Sequence, residues 1–360
     1  MTTTDLAPAT QASLDDEGVA ERVLGIFNDG AICILAGIGY ETGLFETLAS
    51  LPPATSVQIA DAAGLDERYV REWLGGLVTA GFVVYEPSAG TYHLDPGHAP
   101  FVTGDGPDNL ANSMRYVALM GGVTPKIVEK FRTGGGLPYD DYPDFHDIQA
   151  AESANVNDVS LIDTFVPLTG LEERLRSGIA VVDFGCGEGH AINLLARAFP
   201  HSTFVGLDFS REAIAAARAE AAAWDLSNAS FEERDVATPP AEDQRYDLAL
   251  AFDAIHDQAH PATVLANIRE SLRPGGAFLM VDIRAQSNLE DNLDLPWASF
   301  LYAISTLHCM PVSLGQGGDG LGTVWGVQTA ERMLREAGFS TVELHELEED
   351  PFNAYFVARP

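Results

Sequence analysis

Apolar positions change their period along the chain. Over about 17–50 they recur at helical spacing, with Phe27, Ala31, Ile34, Leu35 and Ile38 on one face, and predict one or two helices. Two shorter capped patterns follow. Ser56 reads as the cap of a helix over 57–63 stopped by Gly64. Asp66 reads as the cap of one over 67–80, with Val70, Leu74, Leu77 and Val78 on one face and Gly81 at its exit. Phe82-Val83-Val84-Tyr85 and Thr91-Tyr92-His93-Leu94 then flank the turn Pro87-Ser88-Ala89-Gly90 and predict a β-hairpin. Residues 107–175 are mostly helical and less regular, with loops at Gly134-Gly135-Gly136 and Tyr139-Asp140-Asp141-Tyr142-Pro143-Asp144.

From 179 the pattern alternates. Strands are predicted at 179–184, 203–208, 230–234, 246–252 and 277–282, and helices at 188–198, 211–224 and 261–272, with Ser210 capping the second. That alternation predicts an α/β fold whose parallel sheet is covered on both faces. A stretch over 284–328, with Trp297, Tyr302, His308 and a glycine-rich turn, breaks it. A helix over 329–337 and strands over 341–346 and 352–358 close the chain. Helix, turn, helix, hairpin is the order of a winged helix. The chain therefore divides into a loose tail (1–16), a winged-helix domain (17–106), a helical linker (107–175) and an α/β domain (176–360) with the insertion 284–328 as a lid.

In an open parallel sheet, ligands bind beyond the carboxyl ends of the strands. The first of those ends is Asp183-Phe184-Gly185-Cys186-Gly187-Glu188-Gly189, an acid followed by three glycines where a strand turns into a helix. Backbone there can approach a ligand closely. The pattern is DxGxGxG and not GxGxxG, because His190 stands where the third spaced glycine would be. The second strand ends in Asp208-Phe209, suited to two ribose hydroxyls. The third ends in Asp235-Val236, suited to an adenine amino group and ring. The fourth ends in Phe252-Asp253-Ala254-Ile255-His256-Asp257. The glycine loop holds no lysine or arginine, which disfavours phosphate. Acids at successive strand ends suit a cationic, adenosine-bearing donor.

Over about 178–283 the chain resembles class I S-adenosylmethionine (SAM) methyltransferases. The resemblance implies a Rossmann-like, seven-stranded sheet with a reversed last strand, and SAM held by Asp183, Gly185, Gly187, Asp208, Asp235 and Val236. Phe209 and Phe252, at the strand ends, join that set. The whole chain resembles the dimeric small-molecule O-methyltransferases. It is closer still to bacterial winged-helix methyltransferases once labelled transcriptional regulators, through His308-Cys309-Met310-Pro311-Val312-Ser313-Leu314 and Gly320-Leu321-Gly322-Thr323-Val324-Trp325-Gly326. It implies a homodimer formed through the winged helix, and His256 of the His256-Asp257 pair as the base that deprotonates a hydroxyl acceptor. Gln258 departs from the tryptophan common there. The plainer role for His256 is a loop histidine that caps the next helix or packs under the lid.

Other polar and aromatic residues divide similarly. His260 starts a helix. His308 and Cys309 line the acceptor site or pack in the lid. Trp297, Tyr302 and Trp325 shape the site or form lid core. Glu346, Glu348, Glu349 and Asp350 read as a solvated turn, and Asn353 beside Phe352 as facing the site.

Charge narrows the partners. The 360 residues carry 53 acids against 20 bases, a formal net charge of −33, with Lys126 and Lys130 the only lysines. Self-repulsion on this scale predicts a salt-adapted protein. It disfavours nucleic acid and anionic membranes. Cys33, Cys186 and Cys309 show no metal-ligand spacing, and the polar start lacks a signal-peptide pattern, so a cytoplasmic chain with free thiols and no metal is expected. The competing function is a winged-helix regulator that senses SAM or another metabolite without catalysis. Against it, Arg68 and Arg71 of the candidate recognition helix sit among Asp66, Glu67 and Glu72. A macromolecular acceptor, RNA or protein, is disfavoured by the acidity and the expected lid.

Overall fold

The computed structural model describes residues 15–104, 106, 108–239, 243–348 and 350–360. All of the expected tail except its last two residues lies outside them. Those two belong to a helix: Asp15 caps Asp16–Glu41 by accepting from the Gly18 N–H. The described chain forms two compact units. One comprises Val123–His146 and Asn157–Pro360, and the other Asp147–Val156 with the described part of Ala12–Gly122.

The smaller unit follows the order read from the sequence. After the helices Asp16–Glu41 and Leu44–Ser50 come Ser56–Ala63 and Glu67–Thr79, then the antiparallel pair β1 (Val83–Glu86) and β2 (Thr91–Leu94). The cap of Ser56–Ala63 is Thr55, one residue earlier than predicted. Thr55 and Gln58 form a reciprocal capping box, which Ser56 cannot make because Ile59, an apolar residue, stands three positions after it. Phe45, Leu48, Ile59, Val70, Trp73, Leu74 and Leu77 form the core, and the Trp73 indole donates to the Leu35 carbonyl. The helix Asp16–Glu41 turns much of its apolar surface outward: Val23, Leu24 and Phe27 are more than half exposed. By length and composition alone it is long and apolar enough to cross a membrane.

The larger unit holds a seven-stranded sheet: β3 (Ala180–Phe184), β4 (Thr203–Asp208), β5 (Ala229–Glu233), β6 (Tyr246–Phe252), β7 (Leu272–Ile283), β8 (Thr341–Glu346) and β9 (Asn353–Arg359). Their spatial order is β5-β4-β3-β6-β7-β9-β8, and β9 runs antiparallel to both its neighbours. This is the reversed last strand that the resemblance implied. The strand order reverses between β3 and β6, where ligands of such sheets bind. β7 begins five residues before the predicted strand because Leu272 pairs with Tyr246 across an irregularity at Pro274-Gly275-Gly276. The sheet packs through Val182, Phe184, Leu207, Ala249, Phe278 and Met280 against Val264, Leu265 and Ile268 of one helix and Ala330, Met333 and Leu334 of another. Each of the larger of these side chains, fully buried, contributes about 1.5–3 kcal/mol.

The insertion is mostly helical. Ala298–Ile304 continues without a break through a π-turn, Ser305–Cys309, into Met310–Gly315. Gly136 packs directly on it: a Cβ there would lie 1.9 Å from the Pro311 carbonyl oxygen, and Leu137 N–H donates to that oxygen. This contact fixes the segment over 137–146 against the insertion.

Candidate active site

The glycine loop and Asp208 fold as one piece. Gly185, Gly187 and Gly189 take φ of +81°, +52° and +72°, values that side chains resist. A Cβ on Gly187 would meet nothing within 4 Å, so the loop presents open backbone there. Asp208, at the tip of β4, holds this turn: its carboxylate accepts from Gly187 N–H at 3.0 Å and Ser210 N–H at 2.8 Å. Ser210 in turn caps Arg211–Ala223 as predicted. Burial raises the Asp208 carboxyl, and the two backbone N–H groups oppose that rise. Asp183, inside β3, is 2% exposed, and its Oδ1 has no hydrogen-bond partner among the described residues. Burial, helped by the charge of Asp208, raises its carboxyl to about 7.

The remaining predicted cofactor residues spread outward. Phe209 is half exposed beyond Asp208. Asp235 is exposed and accepts from Ala237 N–H. Val236 lies in the main hydrophobic core, and Phe252 closes β6 half-buried. Beyond Phe252 the chain turns sharply, with Asp253 at φ +48° and its N–H on the Val281 carbonyl. An open backbone turn, a buried carboxyl with an unmatched oxygen and a second acid locked to that turn fit a cationic nucleoside such as SAM.

After that turn stands His256, 4% exposed. Its Nδ1 lies 2.9 Å from Asp282 Oδ1, and its Nε2 3.2 Å from Asp257 Oδ1. Asp282, near the end of β7, also accepts from the Trp325 indole at 3.0 Å and from Ile283 N–H at 2.8 Å. Cys309 approaches the pair, so that its Sγ and one ligand-type atom each of His256 and Asp257 lie within 4.8 Å of one another. Burial alone would lower the basicity of His256. The negative charges of Asp282 and Asp257 overrule it and hold the ring well above the usual histidine range. The imidazolium thus balances two carboxylates. Burial and Asp257 push the Cys309 thiol up to about 11, so it stays protonated.

Sequence reasoning missed Asp282, although it is one more acid near a strand tip, the signal used for Asp183 and Asp208. It also passed over the aromatic segment Tyr139–Asp141 and beyond as loop. Tyr139 lies edge-on to Phe209 at 5.8 Å and to His308 at 5.7 Å between ring centroids. The Tyr142 hydroxyl donates to the Leu307 carbonyl. Trp325 is neither lid core nor lining alone, since it anchors Asp282. Trp297 packs on Phe352, and the Asn353 amide donates to Asp350. Asp350 is a correction: expected in a solvated turn, it is buried and accepts from Phe352 N–H, Asn353 and the Tyr355 hydroxyl, which together draw it inward. His260 stands at the entry of Pro261–Ser271, as expected, without a side-chain capping bond. A cleft of about 510 Å³ lies at the amino-terminal edge of the sheet, where Arg174 and Arg273 pair with Asp247. It is remote from the strand tips and holds none of these groups.

Comparison with known proteins defines the class first. Residues 175–338 match a methyltransferase domain family, and residues 30–104 match the Rv2258c-like winged HTH domain. The chain thus carries a winged-helix match followed by a methyltransferase-domain match. Across its length it is similar to PigF solved with S-adenosylhomocysteine (SAH), at TM-score 0.69 and 20% identity, covering 97% of this chain and 100% of that one. It is similar to human N-acetylserotonin methyltransferase in complex with SAM, at TM-score 0.67 and 17% identity, covering 97% and 99%. It also resembles phthiotriol/phenolphthiotriol dimycocerosates methyltransferase 1 of Mycobacterium ulcerans (strain Agy99), 30% identical over 115 residues, 32% of this chain and 41% of that protein. The chain spans less than half the length of the curated relatives it matches.

Proposed function

We propose that the chain is a SAM-dependent methyltransferase that acts on a hydroxyl of a small molecule. The observation that carries this is the succession of strand tips. Asp183 and the Asp208-locked glycine turn lie on one side of the switch point, and His256 braced by Asp282 on the other. SAM, when bound, supplies a methyl group on a sulfonium that an oxygen can attack in line. Asp183 would face that positive charge, Gly187 would let the loop backbone approach it, and Asp208 would take the ribose hydroxyls while keeping the turn closed. Asp235, Val236, Phe209 and Phe252 would hold the adenosine. Attack raises the acidity of the acceptor hydroxyl, and His256 receives that proton at Nε2. Asp282 fixes the ring through Nδ1, and Asp257 shares the resulting charge. Because two carboxylates hold a proton on the resting ring, His256 becomes a competent base as pH rises through its raised value. The acceptors named for the similar proteins, in particular N-acetylserotonin and phthiotriol, support a small-molecule acceptor.

The test has two arms. Calorimetry with SAH measures the cofactor claim, and binding by wild type that Asp208→Ala leaves unchanged refutes it. Radiolabelled methyl transfer from SAM to a panel of hydroxylated small molecules measures the acceptor claim. Transfer to thiols or amines alone overturns the hydroxyl assignment.

A regulator without catalysis is less well supported. On Glu67–Thr79, Arg68 pairs with Glu72 and Arg71 with Glu67, which leaves little free positive charge for phosphates. We assign the winged helix to homodimerisation instead. The exposed Val23, Leu24 and Phe27 give it an apolar surface, and Glu21, Arg22, Asn28 and Asp29 punctuate the helix in a way that suits a protein partner better than a bilayer core. Light scattering reads the outcome: a dimer that Phe27→Asp dissociates supports it, whereas a detergent-dependent monomer points to a membrane. Salt adaptation and a cytoplasmic location remain part of this reading. A melting temperature indifferent to salt up to about 1 M would remove the first.

A further inference from the structure

One buried ring beside His256 has no use in that mechanism. His308 is fully buried, yet neither Nδ1 nor Nε2 has a hydrogen-bond partner among the described residues. Native proteins satisfy the large majority of buried polar groups. Apolar and edge contacts fix the ring without using its nitrogens. It stacks on Phe145 with centroids 3.6 Å apart and meets the edges of Tyr142 at 4.6 Å and Tyr139 at 5.7 Å. It sits on the π-turn Ser305–Cys309, a helical irregularity frequent at functional sites. Burial lowers it to about 4, so it is neutral at physiological pH and offers one N–H donor and one acceptor nitrogen.

Its surroundings tie it to both halves of the site. Cys309, the next residue, approaches His256 and Asp257. Asp257 Oδ1 likewise makes no hydrogen bond among the described residues, although it faces His256. On the other side, Tyr139 links the ring to Phe209, which follows Asp208. The unmatched nitrogens of His308 and the unmatched Oδ1 of Asp257 are thus linked through Cys309, beside the base of the proposed reaction.

We propose that His308 forms a second polar subsite of the acceptor, one that hydrogen-bonds a group other than the hydroxyl that is methylated. The acceptor class is then a flat small molecule with two hydrogen-bonding groups, its reacting oxygen toward His256 and its second group toward His308. A molecule with one such group leaves the His308 ring unpaired and binds more weakly. This inference rests on the methyltransferase reading and deepens it.

The experiment uses the full chain saturated with SAH and three probes: phenol, catechol and resorcinol. Calorimetry is expected to show catechol or resorcinol binding at least about tenfold more tightly than phenol. His308→Phe, which keeps the ring stacking, brings the two-hydroxyl probes down to the level of phenol and leaves SAH affinity unchanged. His308→Gln, which keeps a donor and an acceptor, restores most of the preference. Equal binding of the probes, no binding of any, or a preference that survives His308→Phe overturns the subsite. Failure of SAH itself to bind is a separate result: it overturns the methyltransferase reading, and the subsite with it.

Discussion

The cofactor half and the acceptor half of the site start from the same row of strand tips but are held by different kinds of contact. On the cofactor side Asp208 and Asp235 are fixed by nearby backbone. Asp208 accepts from residues 21 and 2 positions away, and Asp235 from one 2 positions away. On the acceptor side the partners are distant: Asp282 is 26 residues from His256, Trp325 is 43 from Asp282, and Leu307 is 165 from Tyr142. The first half is a local motif that any βαβ unit can close by itself. The second exists only once β7, the insertion and the segment over 137–146 have packed. Damage to the first half should therefore appear in cofactor affinity, and damage to the second in rate and pH dependence.

The largest effect that sharpens this contrast is on rate. His256→Ala should lower kcat by about 10²–10⁴-fold, the usual worth of a positioned proton acceptor, with SAH affinity unchanged. Asp282→Asn should lower kcat less and move the rising limb of the pH profile downward, because one of the two charges that hold the His256 proton is gone. If His256→Ala instead weakens SAH binding with kcat intact, the division into halves fails. Asp208→Ala is the mirror test. It removes the acceptor of two backbone N–H groups, each charge-assisted bond worth about 1.5–3 kcal/mol. SAH affinity should fall by about a hundredfold or more, and kcat at saturating SAM should move little.

This contrast also explains what could be read from the chain alone. The glycine turn, Asp183 and Asp208 were legible because a strand, a turn and a helix cap adjoin in sequence, and the alternation that spaced them fixed the sheet. His256 was legible by its place after β6. Its environment was not: Asp282 closes the predicted strand 277–282 with nothing nearby in sequence to pair it with His256, and that partnership depends on β6 and β7 pairing in register, Phe252 with Val281. The segment Tyr139 to Asp144 reads as loop in the sequence, since its packing on the insertion is set by Gly136 against Pro311, a contact with no periodic signature. Thr55 in place of Ser56 and the inward turn of Asp350 are smaller cases, each decided by a hydrogen bond between side chain and backbone.

A middle-sized effect probes the cofactor half through pH. The Asp183 carboxyl is raised to about 7, far above the about 3.9 of an unfolded chain, so in the free protein it is largely neutral below pH 7. Such a group favours the folded state at low pH and withdraws that stability as pH rises through 7. A cationic cofactor reverses the preference, because it needs the carboxylate. SAM affinity should therefore fall by up to about tenfold per pH unit below 7 and level off above it, with proton release on binding at the acidic end. Calorimetry in phosphate and in Tris buffer separates that proton from the binding heat. Asp183→Asn should flatten the profile, and a profile that stays sloped in this variant assigns the proton elsewhere.

The smallest effect is the most specific to the acceptor half. Trp325 donates to the same Asp282 oxygen that His256 uses, so its N–H competes for the charge that holds the imidazolium. Trp325→Phe removes the donor and keeps an aromatic ring in place. Asp282 then becomes effectively more negative toward His256, the ring holds its proton more tightly, and a base that must be neutral to act is available only at higher pH. A hydrogen bond to a carboxylate is worth about 1.5–3 kcal/mol, and passing about 1 kcal/mol of it to His256 displaces the rising limb upward by about 0.7 pH unit. The plateau rate should stay within a few-fold of wild type, and the melting temperature reports whether the smaller ring has left a cavity. A limb that moves downward, or one that stays in place while the plateau collapses, means that Trp325 acts through packing, and that Asp282 does not set the proton affinity of His256.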